Sequence, residues 1–151
     1  MVQVVLTGLV TLFCSAGFSA SVTNTTCFTD TVPDKQIRLN HVKLISFTRQ
    51  AETHSDILAS EKKECRKWFL DKKKIMEIFH SGKPISGTEW DLSYAVYPCF
   101  YTGKVAVNGV PGSYTINAGS YIILTLRDKT FYFGCTSQKI RKYFLCPPNT
   151  D

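Results

Sequence analysis

The sequence predicts an α+β domain: an antiparallel β-meander of about four to five strands with one main helix and one short helix, stiffened by disulfides. Three observations lead there. Residues 2–18 form an apolar run without a charge, ending in small residues and followed by a polar chain that carries five cysteines. Apolar residues between 71 and 92 recur at helical spacing. From Cys99 onward the period changes to two, punctuated by turn residues.

The leader reads as a secretory signal peptide over 1–20. Its apolar core includes Leu6, Leu9, Val10 and Leu12, and Gly17 and Ser19 suit a signal peptidase. Cleavage after Ser19 fits better than cleavage after Ala20, which would put Phe18 at the outer recognition position. The small-residue tail and the lack of a basic stop-transfer flank favour removal, so no transmembrane anchor is expected after cleavage. Export places the product in a secreted or periplasmic, disulfide-permissive setting. Roughly 130 residues remain, enough for one domain that buries about two-thirds of its unfolded surface. Residues 21–33 are Ser/Thr-rich and aperiodic, a flexible lead-in, and 34–151 form the single domain. The formal net charge is +6 and 44% of residues are apolar, a composition that excludes a disordered chain.

The elements follow in order. Ile37, Leu39, Ile45 and Phe47 share one parity and mark a strand over 37–47, and the polar 48–60 reads as a loop. Asp71 is placed to N-cap the main helix, whose apolar face is Ile75, Met76, Ile78 and Phe79. His80 stands in its last turn and Gly82 stops it. Pro84 separates it from a short helix, which Ser86-Gly87-Thr88-Glu89 opens as a capping box and which runs through Leu92. Four strands follow. The first starts at Cys99. Asn108-Gly109, lengthened by Val110-Pro111-Gly112, leads to Tyr114–Asn117, and Ala118-Gly119 to Tyr121–Leu126. Asp128-Lys129 then leads to 130–133.

Cysteines occur at 14, 27, 65, 99, 135 and 146. Loss of Cys14 with the leader leaves an odd number. The preferred pairing is Cys65–Cys99 with Cys135–Cys146, leaving Cys27 free; a Cys27–Cys146 staple with a buried Cys135 thiol remains open, because spacing does not fix separation in space. Asn24-Thr25-Thr26 is a glycosylation sequon, meaningful only in a eukaryotic secretory pathway.

The stretch from Cys65 to Cys135 resembles a group of small, mostly uncharacterised exported bacterial proteins. Four features carry the likeness. They are Cys65 ahead of a basic amphipathic helix over 68–79, the linker Pro84-Ile85-Ser86, the strand opening Pro98-Cys99-Phe100-Tyr101 after an aromatic approach from Trp90, and a glycine-containing meander from Gly103. Tyr97 stands where such proteins often carry Trp or Ser. The resemblance implies an exported compartment and a helix-then-meander order; it implies no activity.

No residue set specifies chemistry. There is no G-x-S-x-G, phosphate loop or dinucleotide fingerprint, and no metal-ligand spacing among the cysteines and histidines. His41, His54 and His80 fall on a strand, a loop and a helix end. Glu89 and Asp91 are two apart and diverge on a helix. No catalytic set, metal or cofactor is therefore expected.

Two surfaces are candidates for binding. Lys62, Lys63, Arg66, Lys67, Lys72, Lys73 and Lys74 give 61–74 seven basic residues against three acidic ones, a face suited to an anionic surface or an acidic protein. Arg141-Lys142 is a smaller basic spot that can join it only through the fold. Tyr97, Tyr101, Tyr121 and Tyr132 are candidates for an aromatic sheet face. No stacking motif of a nucleic-acid module is present, and no nucleic acid is expected as partner. The resulting expectation is an exported, non-enzymatic binding protein of the bacterial envelope, of the inhibitor or immunity type, that occludes a partner protein in the envelope or outside the cell. The alternatives are a small secreted hydrolase whose site forms only in three dimensions, and a secreted host-directed effector.

Overall fold

A computed structural model describes residues 37–52 and 56–147. The expected signal peptide, lead-in, sequon, Cys27 and His54 lie outside them. The described residues belong to one compact unit, and its class is the expected α+β. Its elements are β1 (Val42–Leu44), β2 (Thr48–Ala51), α1 (Ala59–Lys67), α2 (Lys72–Ser81), β3 (Lys83–Ile85), α3 (Gly87–Ser93), β4 (Cys99–Val107), β5 (Val110–Asn117), β6 (Tyr121–Leu126), β7 (Lys129–Gly134) and α4 (Gln138–Arg141).

All strands join one antiparallel sheet in the order β1-β4-β5-β6-β7-β3, with β2 also on β4, so β1 and β2 share one edge and β3 forms the other. The meander β4–β7 is the one the period-two pattern predicts. Its first turn is tighter than expected. Asn108 (φ 51) and Gly109 (φ 81) alone make it, the two-residue geometry that this dipeptide favours, and Val110 through Gly112 belong to β5. Arg127 (φ 54) and Asp128 make the last turn.

Side chains alternate across the sheet, and the two faces differ. On one, Tyr101, Val105, Tyr114, Ile116, Ile122, Leu124 and Phe133 meet the buried stripe Ile75, Ile78 and Phe79 of α2. Phe79 packs edge-on to Tyr114 at 5.0 Å. Asp71 caps α2 as expected, accepting a hydrogen bond from the Lys74 N–H at 2.8 Å, and Gly82 ends it. On the other face α3 lies over β6 and β7, where Trp90 stacks on Tyr132 at 5.0 Å and meets Tyr121 edge-on at 5.7 Å. Buried Asn117 ties the segment between α3 and β4 to the sheet: its amide oxygen accepts from the Tyr97 N–H and its amide nitrogen donates to the Tyr97 carbonyl.

Among the described residues, seven strands and four helices stand in place of the expected four to five strands and two helices, and of the expected strand over 37–47 only Val42–Leu44 pairs as β1. The presumed loop 48–60 contains β2 and the start of α1. Cys65 lies inside α1 instead of ahead of a helix, and the expected continuous helix over 68–79 begins only at Lys72, because the chain is extended at Trp68. The linker at Pro84 pairs with β7 as an edge strand, the position where a residue without an N–H is tolerated in a sheet. At the first edge the chain bulges between β1 and β2. The N–H groups of Ile45 and Ser46 both donate to the Lys104 carbonyl, at 3.0 and 3.2 Å, and Lys104 N–H donates to Ser46 Oγ at 3.0 Å. Gly103 is required here, since a Cβ would overlap the Ser46 carbonyl.

Candidate functional site

Of the two expected disulfides, one is present. Cys65 and Cys99 are bonded with Cα atoms 5.6 Å apart. Cys135 and Cys146 are not bonded to each other; both are free thiols. Cys135 follows β7 directly and is buried in the core, where burial pushes its thiol pKa up. Cys146 is partly exposed, its N–H held on the Ala118 carbonyl and its carbonyl accepting from Ser120 Oγ at 3.0 Å.

The expected aromatic face does not form. Tyr101 is only 2% exposed: it packs on Trp68, and its hydroxyl accepts the Leu70 N–H at 3.0 Å. Tyr121, 3% exposed, is enclosed on the opposite side of the sheet by Trp90 and Tyr94. These two are core residues and present no ring to a partner. Tyr132 is half-covered by Trp90. Tyr97 is half-buried and donates its hydroxyl to Glu64 Oε2 at 2.9 Å; desolvation and that bond push its pKa up to about 12.

The basic residues divide into three groups. Lys62 and Arg66, one turn apart on α1, line a cleft of about 260 Å³ together with Arg49, Ala51, Glu52, Cys65 and Pro98. Arg49, absent from the sequence-level set because it lay in a presumed loop, also donates to the Cys65 carbonyl. Lys63 and Lys67 are exposed on a neighbouring side of the same helix. Lys72, Lys73 and Lys74 open α2, where the positive end of the helix dipole disfavours cations, and its first turn holds no acidic residue. Lys74 is held by Asp71 at 3.9 Å and lies 5.7 Å from the ring centre of Phe69, a side chain left 62% exposed. The smaller basic spot joins the helix layer, for α4 packs against α2. The following Tyr143 donates its hydroxyl to Glu77 Oε2 at 2.8 Å and accepts the Trp68 indole N–H on its carbonyl at 2.7 Å.

The cleft thus gathers three cations, Arg49 of β2 and Lys62 and Arg66 of α1, and one carboxylate, Glu52 just after β2, against the half-cystine of α1. β2 and α1 are both held to the start of β4, β2 by pairing Ala51 with Cys99 and α1 by the disulfide to the same residue. Like charges gathered in this way destabilise the unliganded fold slightly and favour an anionic ligand. A second, shallower trough of about 400 Å³ lies on the uncovered part of the sheet, floored by Thr48, Thr102, Thr115, Thr125 and Ile123. Lys104 is the one charged side chain in its lining. His41 lies exposed just before β1 and not on a strand as expected, His80 is exposed in the last turn of α2, and among the described residues no three His, Cys, Asp or Glu side chains group around a possible metal. Nor is any described helix long and apolar enough to cross a membrane.

In comparisons of sequence and structure, no family model, curated protein or solved structure matches this chain.

Proposed function

We propose that the chain is an exported binding protein of the bacterial envelope, of the inhibitor or immunity type, which occludes an acidic partner protein through α1 and β2. The observation that carries this reading is the convergence of Arg49, Lys62 and Arg66 on one cleft beside the Cys65–Cys99 disulfide. A disulfide-stiffened frame keeps such a surface preorganised, which lowers the entropic cost of association. Cations at the rim raise association rates and select against basic partners. Lys63, Lys67 and Lys72 to Lys74 widen the basic field around the cleft.

The test is affinity capture from a bacterial envelope extract with wild-type domain and two charge-reversed variants, Arg49→Glu/Lys62→Glu/Arg66→Glu and Lys72→Glu/Lys73→Glu/Lys74→Glu. The cleft variant loses the captured protein, the α2 variant captures less of it, and wild-type capture weakens as salt shortens the screening length from about 10 Å towards 3 Å. The captured protein's own activity falls when the domain is added. Equal capture by the cleft variant would refute the assignment of this surface.

A further inference from the structure

We propose that the partner docks as an extended acidic strand added to the free edge of β2. This deepens the reading above and rests on it.

Among the described residues β2 is an edge strand paired only with β4, and all four of its residues are exposed. The pairing fixes which peptide groups are free. Glu52 N–H donates to the Pro98 carbonyl at 2.7 Å. In an antiparallel pair inward-bonded residues alternate, so Gln50 and Thr48 also bond towards β4, while Arg49 and Ala51 turn their N–H and C=O groups away from the sheet. Among the described residues no backbone group meets those outward donors and acceptors. The opposite edge is different: β3 is three residues long and contains Pro84 and Lys83, features that discourage strand pairing.

Charge identifies the occupant. Arg49 and Ala51 lie on the face of β2 that looks toward α1, and the cleft there is lined by Arg49, Lys62 and Arg66. A strand laid along β2 places every second side chain over that cleft, so carboxylates at alternate positions fit it. Glu52 disfavours a further carboxylate at its end. Beyond the other end the bulge stops the ladder and leaves Phe47 40% exposed on the face of Arg49, beside Tyr101, a place for an apolar residue. The partner segment is thus short, extended and acidic on one parity, with an apolar residue at its Phe47 end.

A fluorescent, end-capped peptide alternating glutamate with valine is the probe, and its backbone N-methylated counterpart carries the same charge without the donors. The first binds the wild-type domain; binding falls at least tenfold with N-methylation and at least tenfold with Lys62→Glu/Arg66→Glu. Ala51→Pro removes one outward N–H while leaving the inward ladder and every charge in place, and weakens the peptide to the same extent. Peptide binding slows amide exchange at Arg49 and Ala51 at least tenfold. If Ala51→Pro fails to fold, the N-methylated peptide and the exchange rates decide. Equal binding of both peptides, or unchanged exchange at the two amides, overturns strand addition and leaves the basic cleft standing. So does failure of the peptide to bind while partner capture still depends on Arg49, Lys62 and Arg66. Capture that ignores those three charges refutes the parent reading instead.

Discussion

Removing the Cys65–Cys99 bond should cost this fold a large share of its stability. The bond joins residues 34 apart, and closing a loop of that length in the unfolded chain removes about 12.6 cal/mol/K of entropy, about 3.8 kcal/mol at 25 °C. Small domains have roughly 5–15 kcal/mol in total. With about 110 ordered residues the unfolding entropy near the midpoint is roughly 0.23 kcal/mol/K, so the midpoint falls by about 16 °C. The measurement is urea and thermal unfolding of oxidised wild type, reduced wild type and Cys65→Ala/Cys99→Ala. The reduced protein isolates the cross-link; the double variant adds loss of two buried sulfurs. Cys65 is the one buried residue of α1, so hydrogen exchange in α1 should also rise far more than in β5 and β6. A reduced protein within about 1 kcal/mol of the oxidised one would refute the chain-entropy argument. It would mean that the unfolded chain already holds these segments together.

Cys135 supplies a pH test. Burial raises its thiol pKa in the fold, so its contribution is present below the unfolded thiol value, near 9, and is lost as pH rises towards the folded value. The stability difference between wild type and Cys135→Ala should therefore shrink by about 1 kcal/mol between pH 8 and pH 9.8, and a flat difference would show the thiol to be accessible. Lys72→Glu and Lys73→Glu replace exposed cations at the positive end of α2, so each should raise stability by about 0.3–1 kcal/mol in low salt, an effect that salt removes. Gly103→Ala drives a methyl group into the Ser46 carbonyl and should cost about 1–3 kcal/mol in urea unfolding, with the largest chemical-shift changes between residues 44 and 48.

The elements legible in the sequence were those whose own side chains declare their environment. The meander could be read because Tyr121 to Leu126 is apolar and β-branched and Asn108-Gly109 admits few alternatives to a tight turn. α2 could be read because Asp71, its apolar stripe and Gly82 agree. β2 gave no such signal: Thr48-Arg49-Gln50-Ala51 has no large apolar side chain and is exposed throughout, and its strand state comes from hydrogen bonds to β4. α1 buries one residue and has no apolar stripe to detect. Arg49 was missed for the same reason, since its role depends on a pairing partner about fifty positions away. The tyrosines failed differently. Alternation separates neighbours correctly, but it does not say which face a helix covers, and α3 covers the face that holds Tyr121. The Cys135–Cys146 pairing failed because the chain buries one sulfur in the core and holds the other at the surface.

Stability and the proposed recognition surface meet at the Cys65–Cys99 bond. Cys99 lies opposite Ala51 in the ladder, and Cys65 lies between Lys62 and Arg66 on α1, so a single covalent bond joins the two halves of the cleft. Cys65 is the only buried side chain within α1; besides the disulfide, the helix is anchored at its C-cap by Trp68, which packs on Tyr101, and elsewhere by polar, partly solvated contacts, the Tyr97–Glu64 hydrogen bond and the Arg49 contact to the Cys65 carbonyl. Once reduced, α1 pivots on Trp68 with only polar contacts to hold the rest of it, and the charges of Lys62 and Arg66 separate from that of Arg49 while the sheet and α2 keep their packed core. Binding should therefore be lost at reductant concentrations that leave most of the core's circular dichroism in place. The reverse order, core lost before capture, would mean that the cleft does not depend on the bond and that its charges are held by the sheet alone.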